Sequence, residues 1–203
     1  MTASTLTLYH NPKSRSAGTR VLLEALGAPY QVQLRDFSAG ETRRPDFLAI
    51  NPLGKLPTVV HDGAVITEQV AITIYLADRF PEAGLAPAFD DPQRGPYLRW
   101  LAFYGSSFEP AVVDHAFKRA PLDPSTSPYG DYDTVIATLV AQLERGPYLL
   151  GDRLSAADFL WATALRWTTT FGIVPKLPVI QAYIDRMAAH PAMQRAGELD
   201  AAM

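Results

Sequence analysis

Apolar positions over the first eighty or so residues switch period several times. Leu6-Thr-Leu-Tyr-His10 alternates, with Leu6 and Leu8 on one face, and predicts a short strand. Asn11–Ser16 is a polar turn, and the run after it keeps a helical period to Leu26 before stopping at Gly27, a residue suited to the left-handed position past a helix end. Tyr30–Leu34 predicts a second strand, and Glu41–Ile50 a weaker helix closed by Asn51-Pro52-Leu53-Gly54. Thr58-Val-Val60 and Ala64-Val-Ile66 flank His61-Asp62-Gly63, and Asp-Gly between β-rich runs signals a hairpin. Thr67–Phe80 returns to helical spacing, with Val70, Ile74 and Ala77 on one stripe and Ile72, Tyr75 and Leu76 beside it. The order βαβ, α, ββα implies a small mixed sheet with helices packed on it.

Pro81–Pro92 carries Pro, Ala, Gly and Asp without a period and reads as a linker, set at residues 82–92. Beyond it alternation nearly vanishes. A long helix is expected from Gln93 to about Phe117, bent near Pro110. A loop rich in Pro and Ser spans Pro121–Pro128. Further helices are expected over Asp131–Arg145, Ser155–Thr170 and Val179–Ala189. The expectation is an α/β domain over residues 1–81 and an all-α bundle over 93–203.

Composition narrows the chemistry. Of 203 residues 48% are hydrophobic and 19% charged, and the formal net charge is −3. No basic run or face stands out, which argues against nucleic acid as a partner. No apolar stretch approaches the length of a membrane span, and the opening Met-Thr-Ala-Ser-Thr lacks the basic and apolar regions of a signal peptide, so a cytoplasmic protein is expected. The chain has no cysteine. Disulfides, zinc–thiolate sites and a cysteine nucleophile are excluded, so any sulfur chemistry must arrive on a ligand.

Three segments carry candidate chemistry. In Leu53-Gly-Lys-Leu-Pro-Thr-Val59, a proline that opens a strand suits the first strand position, and X-Pro bonds are the ones that adopt cis readily. A cis Leu56–Pro57 bond would leave the Leu56 main chain at a sheet edge, able to pair with an extended peptide; a plain loop end fits Pro57 as well. Thr67-Glu-Gln-Val-Ala-Ile72 opens a helix whose backbone N–H groups suit a carboxylate, while Glu68 can grip an ammonium group or simply favour the helix dipole. In Asn11-Pro-Lys-Ser-Arg-Ser16, a hydroxyl at the helix start can cap the helix or stabilise a thiolate. Lowering a thiol pKa of about 8.5 by about two units takes roughly 2.7 kcal/mol, the size of one charge-assisted hydrogen bond plus a helix-end contribution.

Together these segments resemble the cytosolic glutathione transferases, over essentially the whole chain. Asn51-Pro-Leu-Gly-Lys-Leu-Pro-Thr-Val59 is similar to that family's cis-proline segment, and Thr67–Ile72 with Tyr75-Leu76 to its segment for the γ-glutamyl end of glutathione. Gly151-Asp-Arg-Leu-Ser-Ala-Ala-Asp158 is similar to its helix-start motif, a capping box between Ser155 and Asp158. A bacterial member is expected, of a serine-type or beta/nu-like class.

The resemblance implies a thioredoxin-like first domain that binds glutathione through Lys55, Leu56, Pro57, Glu68 and Gln69. Leu56 would pair with the cysteinyl part, Glu68 with the ammonium and Gln69 with the neighbouring carboxylate, although the family usually has Ser at the Gln69 position. It makes Ser16 the first candidate for activating the thiol, then Ser14, then Tyr9. It places a pocket for the electrophile among Phe103, Tyr104, Phe108, His115, Trp167 and Phe171, aromatics whose helical spacing also suits plain core. The implied reaction is attack of the glutathione thiolate on a small apolar electrophile in a homodimer, with glutathione as co-substrate and no metal or other cofactor. Isomerase, dehalogenase and peroxidase activities on the same scaffold are alternatives, as is a non-catalytic module that binds glutathione or a protein.

Overall fold

Alternation along the first strand fixes the layers of the N-terminal unit. In the computed structural model, which describes residues 5–120 and 122–203, β1 (Leu6–His10) buries Leu6, Leu8 and His10 and leaves Thr7 and Tyr9 half-covered. Met1–Ser4, and Pro121 at the head of the Pro/Ser loop, lie outside the described residues. β1 pairs in parallel with β2 (Gln31–Leu34) and antiparallel with β3 (Thr58–His61), which pairs antiparallel with β4 (Ala64–Ile66). The sheet order is β2-β1-β3-β4. Asp62 and Gly63 both take positive φ, 50° and 84°, which is the backbone a two-residue hairpin turn needs.

α1 (Ser16–Leu26) follows β1 and ends at Gly27, whose φ of 62° completes a left-handed cap. The weak helix expected over Glu41–Ile50 is shorter: a 3₁₀ turn at Glu41–Arg43, then α2 (Pro45–Leu48), with Pro45 at the helix start, where its missing N–H costs nothing. α3 (Gln69–Arg79) begins two residues later than the periodicity predicts and buries Ile72, Thr73, Leu76 and Ala77. Each fully buried Leu or Ile of this core contributes about 1.5–3 kcal/mol. These elements form the thioredoxin-like unit.

The domain boundary differs from the expectation at both ends. The chain divides into one unit of Met1–Ala83 with Pro191–Met203 and a second of Gly84–His190. The expected linker is built into the second unit: Leu85 is buried, its carbonyl accepts from the Ala156 N–H at 2.8 Å, and Asp91 pairs with Arg153. The last helix, α9 (Pro191–Ala201), has no counterpart in the sequence reading and packs along α1 in the first unit. It buries Ala192, Met193 and Ala196, a stripe too short and too small to stand out as a helical period.

The second unit is all helical: α4 (Arg94–Phe103), α5 (Glu109–Ala116), α6 (Tyr132–Leu143), α7 (Ala156–Thr170) and α8 (Pro178–Ala188). The expected bend near Pro110 is a π turn over Tyr104–Phe108, which joins α4 to α5 and ends one residue before the proline reaches the first turn of α5. Proline cannot donate to the preceding turn and its ring crowds the carbonyl four residues back, so the ladder widens just ahead of it. Trp161 centres the core, with ring centroids 4.8 Å from Phe108, 5.5 Å from Tyr104 and 5.9 Å from Trp100. Its indole N–H donates to the Trp100 carbonyl at 3.0 Å. Asp158 caps α7 through the expected box with Ser155. Among the described residues no helix is long and apolar enough to cross a membrane.

Candidate functional site

Three segments converge beyond the C-terminal end of β1. The antiparallel register pairs Tyr9 with Thr58, so Pro57 and Leu56 follow opposite the turn that leaves β1. The Leu56–Pro57 bond is cis. Among the described residues, no hydrogen bond within the chain occupies the Leu56 N–H or C=O. Buried Asn51 shapes this loop: its amide donates to the Lys55 carbonyl and to Thr58 Oγ1, both at 3.0 Å, and its oxygen accepts from the Leu53 N–H. Gly54 is required here twice over. Its φ is 60°, and a Cβ there would stand 2.5 Å from the Thr42 carbonyl oxygen.

Glu68 marks the second segment. It precedes α3 with φ 63° and ψ 117°, a backbone region that side-chain-bearing residues rarely enter. Holding it there costs on the order of 1–3 kcal/mol, and such positions cluster at ligand clamps. The Glu68 side chain is exposed and makes no cap bond, while its carbonyl accepts the first helical bond, from Ile72 N–H. Gln69 donates an amide N–H to the Arg15 carbonyl at 3.2 Å, which ties the start of α3 to the turn before α1. That bond spends part of the donor capacity of Gln69 inside the protein.

The third segment is the Asn11–Ser16 turn, which holds two of the three candidate hydroxyls. Ser16 is 0% exposed. Its Oγ lies 2.8 Å from His10 Nδ1 and 2.7 Å from Ser14 Oγ, accepts from Asn11 N–H at 3.0 Å and reaches the Asn11 carbonyl at 3.1 Å. A hydroxyl so enclosed presents no surface of its own. Ser14 stands one step outward, half-buried, with its Oγ accepting from Ser16 N–H and reaching the Asn11 carbonyl at 2.8 Å. Tyr9 points to the opposite face of β1, its ring 5.4 Å from Phe47 and under the Arg35 guanidinium. Of these three hydroxyl-bearing side chains at the start of the chain's first helix and strand, Ser16 is the sealed one, and Ser14 and Tyr9 keep partial exposure.

The six aromatic positions do not form one pocket. Tyr104 and Phe108 are 2% and 0% exposed and belong to the Trp161 core, with Phe103 half-buried at its margin. Their helical spacing marks packing. His115 stacks on Tyr132, centroids 3.8 Å apart, beside a cavity of about 270 Å³ lined also by Asp114, Arg119 and Tyr129. Trp167 and Phe171, 47% and 64% exposed, form an edge-to-face pair at the end of α7.

Sequence reasoning missed the groups behind the turn. His10 Nε2 is 3.0 Å from Asp200 Oδ1 on α9, and Arg20 on α1 donates to the same oxygen at 2.5 Å. Burial pushes the Asp200 carboxyl up, but the hydrogen bonds from His10 and Arg20 outweigh it and hold the group below its ordinary range. The available signal was positional: His10 continues the buried Leu6–Leu8 face of β1, an unusual place for histidine. Among the described residues no cluster of His, Asp and Glu is arranged to hold a metal ion.

Comparison with known proteins agrees with this architecture. Residues 4–78 match the glutathione S-transferase N-terminal domain and residues 131–191 the glutathione S-transferase C-terminal domain. A glutathione S-transferase of Xanthomonas campestris is 29% identical over 197 residues, covering 93% of this chain and 96% of its own. The crystal structure of a glutathione transferase from Methylococcus capsulatus is 31% identical with a TM-score of 0.82, over 98% of this chain and all of that one. A sphingomonad glutathione S-transferase complexed with glutathione is 30% identical with a TM-score of 0.79, over 96% and 98% of the two chains. With both domains matched and the likeness running nearly end to end, the chain belongs to the glutathione S-transferase family.

Proposed function

We propose that this chain conjugates glutathione to a small apolar electrophile, with Ser14 as the hydroxyl that meets the sulfur. The Leu56 main chain pairs with the cysteinyl part of the tripeptide, Glu68 holds its ammonium, and the start of α3 receives the adjacent carboxylate, with exposed Lys55 in reach of a carboxylate. The carrying observation is the half-buried Ser14 hydroxyl, seated at the opening of α1 one residue from the Gln69–Arg15 tie. Donated to a thiolate at a helix start, that O–H favours the anion by hydrogen bonding and by the positive end of the helix. A homodimer and a cytoplasmic location belong to the same reading.

The test is retention on immobilised glutathione followed by conjugation of a broad aryl halide. Ser14→Ala should lower kcat/KM at neutral pH by about 10–100-fold and move the rate profile to higher pH, with affinity for glutathione nearly unchanged. An unchanged profile would take the role away from Ser14.

A further inference from the structure

Behind Ser14 lies a continuous hydrogen-bonded chain that the reaction as described does not use. Ser14 Oγ meets Ser16 Oγ at 2.7 Å, Ser16 Oγ meets His10 Nδ1 at 2.8 Å, and His10 Nε2 meets Asp200 Oδ1 at 3.0 Å. Every link after Ser14 is shielded: Ser16 and His10 are fully buried, and the Asp200 side chain is 16% exposed. An ionised carboxylate only accepts, so Nε2 carries a proton toward Asp200, and in the singly protonated ring Nδ1 is then the nitrogen that accepts from Ser16. The Ser16 proton is then shared between His10 Nδ1 and the Asn11 carbonyl, and Ser14 shares its proton between the same carbonyl and Ser16 Oγ.

We infer that His10, held by Asp200 from the C-terminal helix, takes up the glutathione thiol proton through Ser14 and Ser16. This rests on the reading that Ser14 meets the sulfur. The S–H bond breaks and its proton passes to Ser14 Oγ, the Ser14 proton passes to Ser16 Oγ, and the Ser16 proton forms the new Nδ1–H bond. The products are a thiolate and an imidazolium, with no change of oxidation state. Both hydroxyls have reversed direction, so Ser14 now donates to the sulfur and each link favours the anion. When the thioether leaves, the proton returns along the same route to water at Ser14. His10 is a positioning residue here, since it acts on the thiol through the serines.

The surroundings suit a transient imidazolium. Asp200 faces His10 from α9 and Arg20 from α1, and Arg20 also donates to Tyr30, whose hydroxyl donates to Glu24 at 2.7 Å. Arg195 on α9 closes the set on Glu24 at 2.8 Å. On β3, His61 is engaged with Tyr75 of α3. Arg20 and Arg195 balance Asp200 and Glu24, so the proton gained by His10 is matched by the negative charge left on sulfur.

Titrating the bound thiol by its thiolate absorbance, with the full-length protein and glutathione itself, tests this directly. His10→Asn keeps a polar atom beside Ser16 but cannot hold the extra proton. It should raise the apparent pKa of bound glutathione by about one unit or more while KM for glutathione stays within about twofold. Asp200→Asn should shift the titration the same way by less, and decides the matter if His10→Asn does not fold. Arg119→Gln, which loses only a surface pair with Asp114 in the second unit, should leave it unmoved. A folded His10→Asn protein with the wild-type titration overturns the relay; so does an unshifted Asp200→Asn if that variant must stand alone. If Ser14→Ala shifts the titration and these two do not, the relay falls and the Ser14 reading stands. If Ser14→Ala is also silent, or the wild type does not bind glutathione, both fall.

Discussion

Two aspartates, one at the start of α7 and one near the end of α9, use similar contacts to opposite effect. Asp158 is 0% exposed and accepts from Leu149 N–H, Ser155 N–H, Ser155 Oγ and Tyr183 OH, all near 2.9 Å and all neutral. Burial dominates there and pushes its carboxyl up in spite of those four donors. Asp200 is also desolvated, yet its partners are a histidine and an arginine, and they hold it down. Neutral donors satisfy a buried carboxylate without compensating its charge, whereas a guanidinium does both. Asp158 thus fastens a helix start, and Asp200 is kept ionised next to the one buried imidazole of the candidate site.

The largest break in that comparison is Asp158→Ala. It strands the buried Leu149 and Ser155 N–H groups and leaves the Tyr183 hydroxyl only the backbone carbonyl of residue 158, and should cost about 3 kcal/mol, read as a lower urea midpoint. The apparent pKa of bound glutathione should not change in whatever fraction remains folded.

A smaller effect sharpens the contrast through pH. Asp200 titrates lower in the folded chain than in the unfolded one. Its contribution is present above the unfolded value of about 4 and is lost as pH falls through the folded value. Asp158 has the opposite sign, because the folded chain binds that proton more readily. Its share of stability falls as pH rises from about 4 through the raised folded value. Urea melts at a series of acidic pH values should therefore show a shallower loss on acidification for Asp200→Asn than for the wild type. Asp158→Asn should show a steeper one. Parallel curves for the two variants would remove the distinction. The smallest effect belongs to Arg195→Gln, whose side chain is 66% exposed. It should lose no more than about 0.5 kcal/mol, since exposed pairs are weak.

Much of the fold was legible because its signals are local. Asp62-Gly63 carries its own turn chemistry, and Ser155 and Asp158 sit three residues apart in a box that one helical turn closes. The Leu56–Pro57 segment, the Glu68 turn and the aromatic-rich helices were each readable from short windows. What short windows did not decide were choices between neighbours of like chemistry. Ser14 and Ser16 are equivalent on paper, and Tyr104 and Phe108 share a helical spacing with Phe103. Which of them faces inward depends on how the π turn rotates the helix and on which strand face α1 covers.

Unaided, the amino-acid order determined the two-part architecture, the strand and helix succession and the segments that make up the candidate site, since periodicity, turn residues and caps act within a few positions of one another. Only the tertiary structure decided that Ser16 is sealed, that α9 returns to the first unit, and that Asp200 meets His10 across a separation of 190 residues. Desolvation and long-range hydrogen bonding are properties of what the folded chain brings near, and no local window contains them.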